Sequence, residues 1–234
     1  MRTKTLILAA LLSAAGAATS LAQAVYSVNA VGYVNIAFTN AGFFIISNPL
    51  NNGNNQIGTI ISNAPDSTIV YRFSPTGFSQ PITFVAGPGG GWFSPTGPAT
   101  DVLAPGEGFF LQIPTGSAPV TLTFIGEVPQ GTSLVNPVTI TANKFSLIAS
   151  QVPVSAGLDQ AIMGFTNAVD SDTVYFFDGS KQKYSDGISF VQGAGWFGPA
   201  GATNPTPKVA EGFFFFSGSA ANRTWTRSFS VNTP

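Results

Sequence analysis

Apolar and polar residues alternate with a period of two over short stretches of this chain, and helical spacing is scarce. The last stretch is the clearest. Trp225, Arg227, Phe229 and Val231 fall on one face and Thr224, Thr226, Ser228 and Ser230 on the other, the pattern of a strand with one side turned to a core. Thr173 to Phe177 predicts a strand entering a hairpin at Asp178-Gly179, a pair that accepts the positive φ of tight hairpin turns. Phe213 to Phe216, Tyr71 and Tyr175 predict core strands, because consecutive aromatics cannot all face water. Only Gln56 to Ile61 and Asp159 to Phe165 predict helices, both short, with Asn55 and Asp159 as candidate caps.

The pattern is written twice. A shift of 104 residues aligns Gln56 to Phe110 with Gln160 to Phe214 without a gap and matches 18 of 55 positions. Identities cluster in NAPDSTIVYRF (from Asn63) on NAVDSDTVYFF (from Asn167), GWFSPTG (from Gly91) on GWFGPAG (from Gly195), and PGEGFF (from Pro105) on VAEGFF (from Val209). TLTFIGEV from Thr121 pairs with TWTRSFSV from Thr224. A unit of about 100 residues is too long for a solenoid repeat and suits a small domain or half of a pseudo-twofold one. The expected fold is all-β: two tandem sandwich- or barrel-like repeats, each with two strands, a short helix and four further strands. Residues 25–128 form the first repeat and 129–234 the second, joined near Val128 to Ser133, where Pro129, Gln130 and Gly131 supply turn chemistry.

Residues 1–24 read as a secretory signal. Arg2 and Lys4 precede an apolar run from Leu6 to Ala18, and cleavage after Ala22 or Ala24 satisfies the small-x-small rule. The run is too short for an ordinary membrane anchor, and no later segment is long and apolar enough. The mature chain is therefore expected outside the cytoplasm, secreted, at the cell surface or in the periplasm, and not membrane-spanning.

Composition then removes chemistries. With no Cys and no His, thiolate nucleophiles, disulfides, the usual zinc sites and the usual neutral-pH base are all missing. Nine Lys and Arg against ten Asp and Glu leave a net charge of −1, which gives no field for nucleic acid. No cofactor motif is present: the glycine run from Gly87 precedes Trp92 and lacks the Lys and Ser/Thr of a phosphate loop.

Three sets of residues remain as candidates. Trp92 and Trp196, each in a Gly-Trp-Phe context, and Trp225, aligned with Leu122, are candidate sugar-binding platforms or else core. Glu107 and Glu211 occupy equivalent places; as a pair they suggest a carboxylate-only glycoside hydrolase, and separately they suggest turn carboxylates that accept backbone N–H bonds, the reading preferred here. Asp170, Asp172 and Asp178 form an acidic cluster that offers hard oxygens to calcium, but their spacing lacks a full loop pattern and turn roles are preferred, so no metal is expected.

VYSVNAVGYVN (from Val25), PGEGFF and TFIGEVPQG (from Thr123) resemble a family of secreted tandem β-repeat proteins of environmental bacteria to which no activity is assigned. The single repeat also resembles small β modules of bacterial surface proteins. The second copy carries Val209-Ala210 where Pro-Gly is expected. The resemblance implies class and compartment rather than chemistry. The expected role is a non-enzymatic structural or interaction protein of a surface layer, matrix or adhesion system, with a carbohydrate-binding module and a glycoside hydrolase as alternatives. YSVN at Tyr26 returns as FSVN at Phe229, so the expected partners are extracellular polysaccharide or further copies joined through terminal strands.

Overall fold

The computed structural model of the protein describes residues 30–131, 134 and 138–231. The leader, Tyr26 to Asn29 and the joint residues Thr132 and Ser133 lie outside the described residues.

The chain is all-β. In its first half β1 (Val31–Phe38) and β2 (Gly42–Ser47) precede one helical turn, α1 (Ile57–Ile60). Then come β3 (Ile69–Ser74), β4 (Gly77–Phe78), β5 (Ile82–Val85), β6 (Gly91–Ser94), β7 (Gly97–Pro98), β8 (Gly108–Ile113) and β9 (Val120–Glu127). The second half holds β10 (Val138–Ile140), β11 (Phe145–Ala149), a 3₁₀ turn (Ala161–Met163), β12 (Thr173–Tyr175), β13 (Phe177–Asp178), β14 (Lys183–Tyr184), β15 (Ile188–Val191), β16 (Gly195–Gly198), β17 (Gly201–Ala202), β18 (Gly212–Phe216) and β19 (Arg223–Trp225). More strands follow each helical turn than the pattern predicts, because two-residue strands such as β4 and β7 are too short to show alternation.

The strand order is β2-β8-β3-β5-β6-β7 in one large sheet and β11-β18-β12-β15-β16-β17 in the other. The two orders correspond position by position. Each half adds a two-stranded antiparallel ribbon, β1 with β9 and β10 with β19. In the first half the ribbon lays Phe38, Leu122 and Phe124 onto Val70, Ile82, Trp92, Phe109 and Leu111 of the sheet, and Ile57 and Ile60 of α1 join the same core. Burying each such side chain contributes about 1.5–3 kcal/mol. The matching core of the second half gathers Val174, Trp196, Phe213, Phe215 and Trp225.

Neither helical turn uses its candidate cap. Gln56 and Gln160 stand at the N-cap positions and supply no side-chain bond. Asn55 instead takes a left-handed φ of 49°, and its amide ties Asn48, Asn51 and Asn52 together. Asp159 is drawn away to the Asn204 amide.

The opposite faces of the two large sheets meet in a third cluster. Ile45, Phe110, Tyr71 and Phe73 come from the first half, and Leu147, Phe214, Tyr175 and Phe177 from the second. Alternation explains the aromatic run at Phe213: residues 213 and 215 point into their own core, and Phe214 points into this seam. The backbone contacts along the seam are reciprocal. Ser47 N–H donates to Ala210 O at 2.9 Å, and Ala149 N–H donates to Gly106 O at 3.0 Å; Ile46 bridges Glu211 while Ile148 bridges Glu107. The approach is close enough to demand glycine. A Cβ on Gly212 would lie 2.7 Å from Ile45 Cγ2 and 3.1 Å from Gly108 Cα.

At the C-terminal end Phe229 exchanges backbone bonds with Gly131 at 2.9 and 3.0 Å. That end of the chain pairs internally.

Candidate functional site

The candidate tryptophans are core residues. Trp92, Trp196 and Trp225 are 3%, 5% and 2% exposed, so none offers a ring face to a sugar. Trp92 Nε1–H donates to Ile61 O at 2.7 Å, anchoring α1 to the large sheet, and Trp225 Nε1–H donates to Met163 O at 2.8 Å, anchoring the 3₁₀ turn to the β10–β19 ribbon. Trp225 fills the place of Leu122 in the opposite ribbon: Val138 faces it across β10 and β19 as Ile36 faces Leu122 across β1 and β9.

The acidic cluster does not converge. Asp172, fully buried, accepts from Arg223 Nη2 at 2.6 Å and Nη1 at 2.9 Å, and also caps the Val169 and Gly218 amides. Asp170 accepts from the Gln192 amide. Asp178 accepts from Lys181 Nζ at 2.8 Å and Ser180 Oγ at 2.6 Å. These are turn and ion-pair roles, and among the described residues no group of three His, Cys, Asp or Glu side chains is placed to hold a metal ion.

Glu107 and Glu211 sit at equivalent turns in different cavities. Glu107 is clamped by Arg72, with Nε at 2.7 Å from Oε1 and Nη2 at 3.1 Å from Oε2, and it lines a cavity of about 210 Å³ with Val138, Leu147 and Ile148. In the second half Phe176 stands where the first has Arg72. Glu211 therefore lacks the clamp: Lys208 N–H donates to its Oε2 at 2.8 Å, and burial pushes its carboxyl above the ordinary value, partly offset by that bond and by the Lys208 charge.

Glu211 opens onto a larger cleft of about 830 Å³ between the halves. One wall is the end of β1 and the middle of β2, Ile36 to Phe38 and Phe44 to Ile46; the other is Phe176 to Ser185 together with Thr206 and Lys208 to Glu211. The β13–β14 hairpin makes this cleft. Two residues separate the paired Ser74 and Gly77 of β3 and β4, whereas four separate the paired Asp178 and Lys183. The loop that follows compensates, with five residues between Val85 and Gly91 but three between Val191 and Gly195. The ungapped sequence alignment thus contains two length changes that cancel.

The longer hairpin reaches across the seam. Gln182 acts as a stand-in strand: its Oε1 accepts from Phe43 N–H at 2.8 Å and its Nε2 donates to Phe43 O at 3.0 Å. That covers the Phe43 part of the outer edge of β2, whose other end is paired through Ile46 and Ser47 to Glu211 and Ala210. Gly179 passes against the Phe44 ring, where a Cβ would collide.

The cleft is lined by Lys181, Lys183, Lys208, Asp178 and Glu211. Lys181 is occupied by Asp178, whose carboxyl it holds, with Ser180, well below the usual range. Lys183 and Lys208 form no ion pair among the described residues. Tyr184 also faces the cleft, its hydroxyl kept neutral by burial, which raises its pKa. Sequence reasoning missed this site, because its walls come from segments more than a hundred residues apart; the one local signal was the pair of lysines inserted into the second hairpin.

No protein-family model, curated protein or solved structure matches the chain. Among the described residues no helix is long and apolar enough to cross a membrane.

Proposed function

We propose that this is a non-enzymatic interaction protein acting outside the cytoplasm, and that it holds an anionic ligand in the cleft between its halves. One observation carries the reading: of the four lysines among the described residues, three line this cavity. Lys183 and Lys208 form no ion pair among the described residues, although the Lys208 charge acts on Glu211, so an incoming carboxylate, sulfate or phosphate meets charge that no ion pair has consumed. Glu211 opposes such a ligand only while ionised, and its burial favours the neutral form.

Calorimetric titration of the mature chain with an oligogalacturonate, a sulfated oligosaccharide and a neutral maltooligosaccharide tests this. The anionic ligands are expected to bind, more weakly in high salt, and to lose affinity in a Lys183→Ala/Lys208→Ala variant. Equal binding of the neutral sugar, or no binding of either anion, overturns the reading.

A glycoside hydrolase is the second reading, favoured by one feature. Asp178 and Glu211 share the cleft with their carboxyls displaced in opposite directions, the split that separates a stabilising carboxylate from an acid. Against it, Oδ1 of Asp178 already accepts three bonds from Ser180 and Lys181, and Oδ2 is held by the Lys181 ammonium. Release of reducing ends from the same oligosaccharides, abolished by Glu211→Gln, would establish it.

A further inference from the structure

Behind the hairpin lies a second cavity, of about 400 Å³, lined by Phe73, Phe145, Tyr175, Tyr184, Ser185 and Phe214. It is an aromatic cup. Phe214 forms the floor, with Phe73 edge-on at 4.9 Å, Tyr184 at 5.8 Å and Phe145 at 6.0 Å between ring centroids. Phe145 and Tyr184 stand at the rim, 41% and 45% exposed, so these rings remain partly open to solvent after the halves have joined. Tyr184 and Ser185 line both this cup and the lysine cleft. A single tyrosine thus divides an apolar cavity from a cationic one, and Lys183 is its neighbour in the chain.

A cup of five aromatic rings and one serine, whose hydroxyl is already engaged by the Phe176 amide and the Asp186 carbonyl, suits a ring more than a sugar, since each sugar hydroxyl turned toward those rings would lose its water without a partner. Aromatic rings meet edge-to-face or offset, and Phe214, Phe145 and Tyr184 leave an additional ring both options. The adjoining lysines fix the other end of the ligand by charge. We infer that cup and cleft together form one binding site for an amphiphilic anion: a compact aromatic ring seated among Phe145, Tyr184 and Phe214, carrying a carboxylate, sulfonate or phosphate that reaches Lys183 or Lys208. This rests on the cleft being the anion site and adds the class of ligand.

Naphthoate is the probe, with naphthylmethanol, naphthylmethylammonium and oligogalacturonate as comparators, all titrated into the mature chain by calorimetry. Naphthoate is expected to bind one to one, at least about tenfold tighter than the alcohol or the ammonium. Phe145→Ser, Tyr184→Ser and Lys183→Ala/Lys208→Ala should each weaken it by about tenfold or more. The rim positions are exposed, and unchanged melting temperatures show that these variants remain folded. If oligogalacturonate binds while naphthoate does not, and the rim variants leave that binding unaltered, the aromatic ligand class is overturned and the anion cleft stands. If naphthoate and the alcohol bind alike and the lysine variant is silent, the cup holds rings without help from the cleft and the joint site is overturned, while oligogalacturonate binding decides the anion cleft separately. No binding of any anion overturns both.

Discussion

Replacing Arg227 with Met would remove a charge that is buried without a counter-ion among the described residues. Arg227 aligns with Phe124 of the first half, and like that phenylalanine it lies in the interior, 2% exposed. Its Nη1 donates to Ser150 Oγ at 2.8 Å, but Nε and Nη2 have no partner among the described residues, and no carboxylate there pairs with it. Burial pushes its pKa down from 12.5 to about 10, and at about 1.4 kcal/mol per tenfold the buried charge costs about 3 kcal/mol. Two interactions offset part of this: the bond to Ser150, about 1 kcal/mol, and the stacking of the guanidinium 5.3 Å from the Phe229 ring, about 1 kcal/mol. Methionine keeps the length and apolar bulk, so Arg227→Met should stabilise the protein by about 1–2 kcal/mol and raise Tm by about 3–6 °C. Arg227→Ala, which also opens a cavity, should fall below Arg227→Met. Urea unfolding followed by tryptophan fluorescence reads all three proteins. A Met variant less stable than the parent by about 1 kcal/mol or more would show that the charge is compensated and the argument mistaken.

Glu107→Ala breaks a half-buried bidentate pair and leaves Arg72 only its longer contact with Asp101, 3.4 Å from Nη1, so urea unfolding should show a loss of about 1–2 kcal/mol; an unchanged midpoint would mean that the clamp is only a surface contact. Glu211→Gln should act with the opposite sign and depend on pH. A carboxyl raised above its ordinary value of 4.5 carries no penalty while protonated in both folded and unfolded chains. The penalty grows as pH climbs through that value and is complete above the folded-state pKa, so Gln stabilises at pH about 7 and ceases to at pH about 3. Thermal melts across that range check it, and a benefit that persists in acid would refute it. Gly212→Val drives a branched side chain into Ile45 and the backbone of Gly108; a loss of about 3 kcal/mol or more, or failure to fold, is expected in the same unfolding assay. Ala210→Gly relieves a left-handed φ of 60° and should gain up to about 1 kcal/mol by the same measurement.

What could be read from the sequence was local, and what could not was pairwise. Alternation places Phe213 and Phe215 on one side of β18 and Phe214 on the other; Asp178-Gly179 marks the place of the hairpin, but the turn is a four-residue loop whose left-handed residue is Gln182, at a φ of 52°, and not the tight Asp-Gly turn expected. The tryptophans were ambiguous because a repeated aromatic has the same spacing whether it packs or binds; the decision lies with Ile61 O and Met163 O, thirty-one and sixty-two residues away. Asn55 and Asp159 carry good capping chemistry, but other asparagines bind them first, the neighbouring Asn48, Asn51 and Asn52 for Asn55 and the distant Asn204 for Asp159. The contrast between Glu107 and Glu211 could be traced to one aligned difference, Arg72 against Phe176, only once the partner of Glu107 was known. The cleft left only the paired hairpin lysines as a signal in any single segment, since β1, β2, the hairpin and the turn before β18 each contribute a wall.

The differences between the halves are themselves informative. At the seam the Glu-Gly-Phe-Phe turn is the same in both, because each copy must pass within contact distance of the other and admits only glycine at the crossing. Around the cleft the aligned residues part company: Phe176 replaces Arg72, Lys208 replaces Ala104, Val209-Ala210 replaces Pro105-Gly106, and a charged, longer hairpin replaces Ser-Pro-Thr-Gly. The cavity grows from about 210 to about 830 Å³ along with these changes. Differences run along the whole alignment, at 37 of its 55 positions; those at this opening are set apart by their chemistry, since they add three lysines and a left-handed alanine, and these are the changes on which the proposed anion site draws.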